Sequence, residues 1–195
     1  MRKREEFEIS FETDKVNSKR NLSSVLYDWL DSPIYAVLLI LIIFTFFSRV
    51  VSVSGESMLP TFKHGDWLTV SAVTTEVERG DVVVVTQPNA LNEPLIKRVI
   101  AKGGDTINID FATGDVIVNG KVIDEPYIAE LTARKGDFEG EIAIPDGYLF
   151  VMGDNRNNSL DSRYDVIGLV DERYVLGVAQ IRIFPFGDWI FNDYE

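Results

Sequence analysis

The feature that most constrains this chain is a long apolar run near its N-terminus. Residues 34–47 (IYAVLLILIIFTFF) carry no charge, and Arg49 is the only charged residue between there and residue 53. A helix needs about 20 apolar residues to cross a bilayer, and an arginine near its end reaches the interface with its long side chain. We therefore predict a membrane-spanning helix over residues 33–53, preceded by a polar cytoplasmic tail over residues 1–32.

Two other interpretations of the apolar run are weaker. A cleaved signal peptide starts nearer the N-terminus and has a shorter apolar core, and a buried core helix of this length would dominate so small a domain. Lys15, Lys19 and Arg20 precede the run, whereas Arg49 follows it. Because positive charge favours the cytoplasmic side, we predict a single-pass cell-membrane protein with residues 54–195 outside the cytoplasm.

After residue 50 the pattern changes to short β-branched runs separated by Gly, Pro, Asn and Asp. The predicted strands include residues 67–70, 81–86, 95–101, 106–109 and 148–152. Asn119-Gly120 stands between two further apolar runs, and this dipeptide favours a two-residue hairpin turn. We predict a mainly β domain over residues 54–195, with antiparallel sheets forming an open barrel or sandwich.

Composition excludes several kinds of chemistry. The net charge of −12 argues against nucleic-acid binding, and the absence of cysteine excludes a thiol nucleophile and disulfides. His64 is the only histidine, and no glycine-rich phosphate loop is present. We predict no metal and no cofactor. A Ser-His-Asp triad would have to use His64, which we interpret instead as a surface residue of the polar turn that follows Ser57.

A serine nucleophile without a histidine needs another base, and a neutral lysine serves when burial lowers its pKa. Lys97 lies in an apolar run, and Ser57 lies in a turn between Gly55 and Pro60. Taken one segment at a time, simpler interpretations are stronger. The lysine would face solvent from a half-buried strand, and the serine would bond its own backbone.

Four segments in order resemble boxes of bacterial type I signal peptidase, a serine–lysine endopeptidase, in its compact Gram-positive form. They are residues 55–61 (GESMLPT), 79–84 (RGDVVV), 95–105 (LIKRVIAKGGD) and 153–163 (GDNRNNSLDSR). A single box would be a weak match, whereas four in order after an apolar run are specific. The resemblance implies a membrane-bound protease that removes signal peptides through an acyl-enzyme.

The resemblance also implies a role for each matching residue. Ser57 would be the nucleophile, Lys97 the general base, and Ser159 would orient the lysine amine. The Ser57 backbone N–H would form part of the oxyanion hole. Some members place a serine hydroxyl two residues before the nucleophile as a second donor. Gly55 stands there in this chain, so the second donor near it is left open.

Further positions follow from the same resemblance. Two ion pairs would brace the site, namely Arg98 with Asp154 and Asp161 with Arg163. The walls of shallow substrate pockets would be Val51, Val53, Met58, Val84 and Ile96. Such pockets accept small residues at the first and third positions before the cut. The substrate would bind as an extended strand beside residues 51–55 and 94–97.

The expected partners are preprotein signal peptides and the lipid bilayer, with the secretion machinery as a further candidate. An alternative is an inactive membrane-tethered scaffold or adhesin, and another is a self-cleaving repressor of related fold. The aromatic segment 184–191 fits either a contact with the lipid interface or a final core strand, and we favour the core strand.

Overall fold

The structure is a computed structural model that describes residues 33–42, 48–71, 76–88 and 93–186. The chain divides into two units, residues 1–41 and residues 42–195. Residues 33–42 are helical, and their large apolar side chains are exposed. None of the helices in the described ranges combines the length and the apolar character that a membrane crossing requires.

The C-terminal limit predicted for the apolar helix is wrong. Residues 48–52 form a β-strand, so the helix does not continue to residue 53. This strand contains Val50 and Val51, whose branched side chains favour extended backbone, and it pairs along its whole length with the strand that begins at Trp67. The predicted tail 1–32 and residues 43–47 lie outside the described residues.

Eleven strands and one turn of 3-10 helix make up the described part of the second unit. The strands are β1 Ser48–Ser52, β2 Trp67–Ser71, β3 Val82–Val85, β4 Leu95–Lys102, β5 Thr106–Asp110, β6 Asp115–Val118, β7 Lys121–Val122, β8 Ile142–Ala143, β9 Tyr148–Met152, β10 Val170–Asp171 and β11 Val175–Phe184. The 3-10 turn is Glu172–Tyr174. The five strands predicted from the sequence correspond to β2, β3, β4, β5 and β9.

The strands form two antiparallel sheets. One has seven strands in the order β1-β2-β11-β3-β4-β9-β10, and the other has four in the order β7-β6-β5-β8. The predicted hairpin is confirmed, because Val118 pairs with Lys121 across a turn whose Asn119 and Gly120 have φ angles of 52° and 75°. The mainly β, antiparallel fold expected from the sequence is therefore confirmed.

Apolar side chains pack into three clusters that fix the strands carrying the site. All four residues of β3 are buried, and so is β4 from Lys97 to Ala101. One cluster joins the small sheet to the large one through Phe138, whose ring meets that of Phe150 edge to face at 5.9 Å. A strand buried on both faces, such as β4, holds its side chains in fixed directions.

The core interpretation of the aromatic segment is wrong for the residues that the structure describes. Phe184 ends β11 with 61% of its surface exposed, and Phe186 is 94% exposed. Phe184 pairs with Trp67, which opens β2 and is itself exposed. Neither phenylalanine is covered by the apolar clusters of the domain. Residues 187–191 lie outside the described residues.

Candidate active site

Ser57 and Lys97 meet in the structure although 40 residues separate them in the chain. The Lys97 Nζ atom lies 2.7 Å from Ser57 Oγ and donates a hydrogen bond of 3.0 Å to the carbonyl of Ile96. Lys97 is only 3% exposed. The Ser57 hydroxyl thus has a lysine amine as its neighbour, which is the geometry that a lysine base requires.

The apolar surroundings of Lys97 follow from its place in β4. Side chains alternate along a strand, so Lys97 shares a face with Leu95 and Val99, which belong to a buried cluster. Burial lowers the pKa of Lys97 from 10.5 to about 8, and the charges of Asp161 and Asp154 oppose part of that change. An amine with this pKa is partly neutral near physiological pH and can accept a proton.

The segment that carries Ser57 is held from behind by the loop after β9. The Asn155 backbone N–H donates to the carbonyl of Ser57, and its side-chain amide donates to the carbonyl of Glu56, each at 3.0 Å. In the part of the chain that the structure describes, the Ser57 N–H has no acceptor. This donor is therefore available to an oxyanion formed at the nucleophile.

Gly153 lies where this loop touches the Ser57 segment. A β-carbon at this position would clash with the carbonyl oxygen of Ser57 and with the side chain of Ser159. The Gly153 N–H donates to Asp161 Oδ2 at 3.0 Å, which fixes the backbone at the contact. Only glycine allows so close an approach of the two segments.

Ser159 is buried beside this contact but has a different environment from the one expected. Among the described residues its hydroxyl has no hydrogen-bond partner. The two hydrogen-bond partners of the Lys97 amine are Ser57 Oγ and the Ile96 carbonyl, not Ser159. The hydrogen bond expected between Ser159 and Lys97 is therefore not formed in this structure, and an orienting role for Ser159 stays a prediction.

The two expected ion pairs are both formed and both buried. Arg98 donates to the two carboxylate oxygens of Asp154, from Nε at 2.8 Å and from Nη2 at 2.7 Å. Arg163 donates in the same way to Asp161, with both distances 2.8 Å. Thr61 adds a hydrogen bond to Asp154 from the segment after the nucleophile. Bidentate pairs of this kind fix orientation as well as neutralise charge.

A cleft of about 770 Å³ opens beside the Ser57–Lys97 pair. All five expected pocket residues line it, namely Val51, Val53, Met58, Val84 and Ile96. Its walls come from residues 51–54, which include the end of the edge strand β1, and from residues 93–97, which include the start of β4 before the part that pairs with β9. The cleft therefore has exposed strand edges and apolar walls beside Ser57.

Comparison with known proteins accounts for this arrangement. Residues 26–184 match the family described as signal peptidase, peptidase S26. The chain belongs to this family. The resemblance drawn from the four sequence segments is confirmed, and with it the enzyme class, a serine endopeptidase of the signal peptidase family.

Individual relatives match over almost their full length. Signal peptidase I of Bacillus licheniformis is 36% identical over 186 residues, which are 90% of this chain and 96% of that relative. Signal peptidase I T of Bacillus subtilis (strain 168) is 35% identical over 187 residues, 90% of this chain and 93% of that one. A crystal structure of a signal peptidase I from Enterococcus faecalis V583 is 28% identical, with a TM-score of 0.42, and the match covers 53% of this chain and 97% of that chain.

Sequence reasoning missed a buried network behind this signal peptidase site. The Tyr127 ring contacts two guanidinium groups, with the Arg98 Cζ atom 4.0 Å and the Arg156 Cζ atom 5.7 Å from its centroid. Glu125 forms a bidentate pair with Arg156. Arg156 stood within one of the four family segments, but residues 124–132 carry no motif that would have indicated the contact.

Other cleft residues were missed for a similar reason. Asn158, Leu160 and Leu176 also line the cleft. Leu176 comes from β11, more than 100 residues after the nucleophile in the sequence, and the apolar pattern of that strand does not distinguish a cleft wall from a core position.

His64, the residue that a Ser-His-Asp triad would need, forms no hydrogen bond with Ser57 among the described residues. The Ser57 hydroxyl has the Lys97 amine beside it, whereas the His64 Nδ1 atom accepts a hydrogen bond of 3.2 Å from the Gly55 N–H. Within the described ranges, no three His, Asp or Glu side chains are placed to hold a metal ion together.

Proposed function

We propose that this protein is a membrane-bound endopeptidase that removes N-terminal signal peptides from exported preproteins through a Ser57–Lys97 dyad. The observation that carries the proposal is the 2.7 Å approach of a buried lysine amine to a serine hydroxyl at the base of a cleft. Membership of the signal peptidase family supports the choice of substrate.

The proposed reaction is acyl transfer. Neutral Lys97 takes the proton of Ser57 Oγ, and the oxygen forms a bond to the scissile carbonyl carbon while the Ser57 N–H donates to the oxyanion. The protonated lysine then gives its proton to the leaving amine as the C–N bond breaks. Water, deprotonated by the same lysine, attacks the acyl-enzyme and releases Ser57.

The walls of the cleft explain a preference for small residues at the first and third positions before the cut. An extended peptide presents alternate side chains to the same wall. Val53, Met58 and Val84 are at most 4% exposed, so packing behind them prevents the wall from yielding to a large side chain. A substrate strand would lie between residues 51–54 and 93–97, beside the edges of the two strands to which they belong.

The proposal includes attachment to the membrane, and the apolar N-terminal region supports it. The helical residues 33–42 expose almost only apolar side chains, and the sequence continues without charge to Phe47. Burying such a surface in lipid removes it from water. We place the anchor in the apolar region that ends at Phe47, the N-terminus in the cytoplasm, and the catalytic domain, starting at β1, on the other side.

The test uses the full-length protein in membranes, with a preprotein as substrate and the cut mapped by mass spectrometry. Ser57→Ala and Lys97→Ala are each expected to lower kcat by about 10⁴-fold or more, because each removes a reacting group. Lys102→Ala is the matched control from the same strand as Lys97, and it is expected to keep activity.

The alternatives predict different results. An inactive scaffold or adhesin would leave the preprotein intact with every variant, and a self-cleaving repressor would cut only its own chain. Wild-type processing that survives the loss of either Ser57 or Lys97 would contradict the dyad.

A further inference from the structure

The only histidine of the chain is joined to the segment that carries the nucleophile. His64 Nδ1 accepts a hydrogen bond of 3.2 Å from the Gly55 N–H, although both residues are exposed. Gly55 precedes Ser57 by two residues. The sequence predicts a surface turn around His64, and the structure adds that the imidazole of this turn contacts the loop of the active site.

The turn that carries His64 is held firmly. The Asp66 carboxylate is 3% exposed and accepts a hydrogen bond of 2.9 Å from the Lys63 N–H. Two backbone hydrogen bonds join the turn to Val53. The Gly65 N–H donates to the Val53 carbonyl at 2.9 Å, and the Val53 N–H donates to the Asp66 carbonyl at 2.8 Å. The imidazole therefore projects from a fixed base toward Gly55.

The loop beyond Val53 depends on such support. Gly55 has a φ angle of +89°, and a β-carbon at this residue would meet no neighbouring atom. No side chain anchors the backbone at this residue, and glycine is the residue with the greatest backbone freedom. Asn155 holds the carbonyls of Glu56 and Ser57, whereas His64 holds the N–H of Gly55. The loop is thus tied on both sides of the oxyanion donor.

We infer that His64 is a positioning residue, which fixes Gly55 through a neutral imidazole and thereby orients the Ser57 N–H toward the oxyanion. For Nδ1 to accept this hydrogen bond, the imidazole must carry its proton on Nε2. The inference rests on the proposed peptidase function. It also answers a question left open by the sequence. The Gly55 N–H already donates to His64, so it is not the second oxyanion donor.

The experiment compares three variants of the full-length protein on a preprotein-derived peptide. In His64→Asn the amide oxygen occupies nearly the position of Nδ1, in His64→Gln the acceptor lies one methylene farther out, and His64→Leu has no acceptor. A lost hydrogen bond predicts that the Leu and Gln variants lower kcat by about two- to tenfold, with KM unchanged, whereas the Asn variant stays within about twofold of wild type.

Lys63→Gln is the matched control, since it changes a side chain of the same turn without touching the contact, and it is expected to keep the wild-type kcat. Thermal unfolding of every variant shows whether the fold is intact. A Leu variant with wild-type kcat, or an Asn variant as slow as the Leu variant, overturns the inference. A wild-type protein that cuts no preprotein would instead overturn the proposed function, so the two failures are distinguishable.

Discussion

At the scale of single residues, the site depends on a lysine placed where its charge is unfavourable. Lys97 is buried between apolar neighbours, and this burial lowers its pKa to about 8. The nearest carboxylates, Asp154 and Asp161, are each bound to an arginine, which limits how far they stabilise the lysine charge. The residue that we propose as the base therefore carries a cost in stability.

The first prediction at this scale concerns the pH dependence of the reaction. With a pKa of about 8, roughly one tenth of Lys97 is neutral at pH 7. Because the base must be neutral, kcat/KM is expected to rise about tenfold per pH unit below pH 8 and to level off above it. Initial rates on a peptide substrate between about pH 6 and pH 10 measure this. A flat profile would exclude a lysine base.

The second prediction concerns stability. The folded pKa of Lys97 is below its unfolded value of 10.5, so the wild type loses stability as pH falls from 10.5 to about 8, by roughly 3 kcal/mol in total. Lys97→Met keeps the length of the side chain without its charge. We expect it to be inactive and about 1–3 kcal/mol more stable at pH 7, since lost hydrogen bonds offset part of the gain.

Chemical denaturation at several pH values measures this difference. The advantage of the Met variant should shrink as pH rises from 8 toward 10.5, because the unfolded wild type then also loses its proton. An advantage that is constant over this range would show that desolvation of the charge is not its cause.

At the scale of elements, the candidate active site lies where two loops meet beside the fixed strand β4. The segment after β1 carries Ser57, and the loop after β9 carries Gly153 and Asn155. The contact is made mostly by backbone atoms. At Gly153 the space between the loops is too small for a methyl group. Small changes at this contact should therefore displace the nucleophile from the lysine on β4.

A substitution at Gly153 tests this packing. Gly153→Ala would push a methyl group against the Ser57 carbonyl and the Ser159 side chain. We expect a loss of about 1–3 kcal/mol in the free energy of unfolding, and a fall in kcat of about tenfold or more. Both are measured on the purified protein, by denaturation and by peptide cleavage.

Gly120→Ala is the control for this substitution. That position has a positive φ angle of 75° but open space around a β-carbon, so the change adds backbone strain far from the site. It is expected to lower stability by about 1 kcal/mol and to leave kcat unchanged. Equal effects of the two substitutions on kcat would contradict the loop contact.

At the scale of the whole molecule, the proposal combines a β domain with an apolar N-terminal region. The helical residues 33–42 are almost all apolar, and their large side chains are exposed. A surface of this kind is costly in water and favourable in lipid. The proposed anchor would keep the peptidase at the membrane, where signal peptides of exported proteins also lie.

Charges introduced into this region test the anchor. Leu38→Asp combined with Leu41→Asp should move the protein from the membrane fraction to the soluble fraction, because each charge costs about 2.5–3.5 kcal/mol near the centre of a spanning helix. The domain itself should keep its activity on a soluble peptide. Leu131→Asp, a change at an exposed leucine of the β domain, is the control and should leave the protein in the membrane fraction.

The sequence by itself determined the mainly β fold and the hairpin at Asn119-Gly120, and the family resemblance supplied five of the residues that line the cleft. Turn residues and β-branched runs are local signals, so they can be recognised without a structure. The pairing of Ser57 with Lys97 was different, because neither segment was convincing alone. Four family segments in order supplied what local chemistry did not.

Only the tertiary structure decided the rest. It ended the apolar helix before Ser48, where pairing with β2 favours strand, and it left Phe184 exposed where a core strand was expected. It also brought Tyr127 against two arginines and His64 against Gly55. These contacts join residues whose own segments carry no signal for them, because they depend on how separate strands and loops pack together rather than on any local pattern.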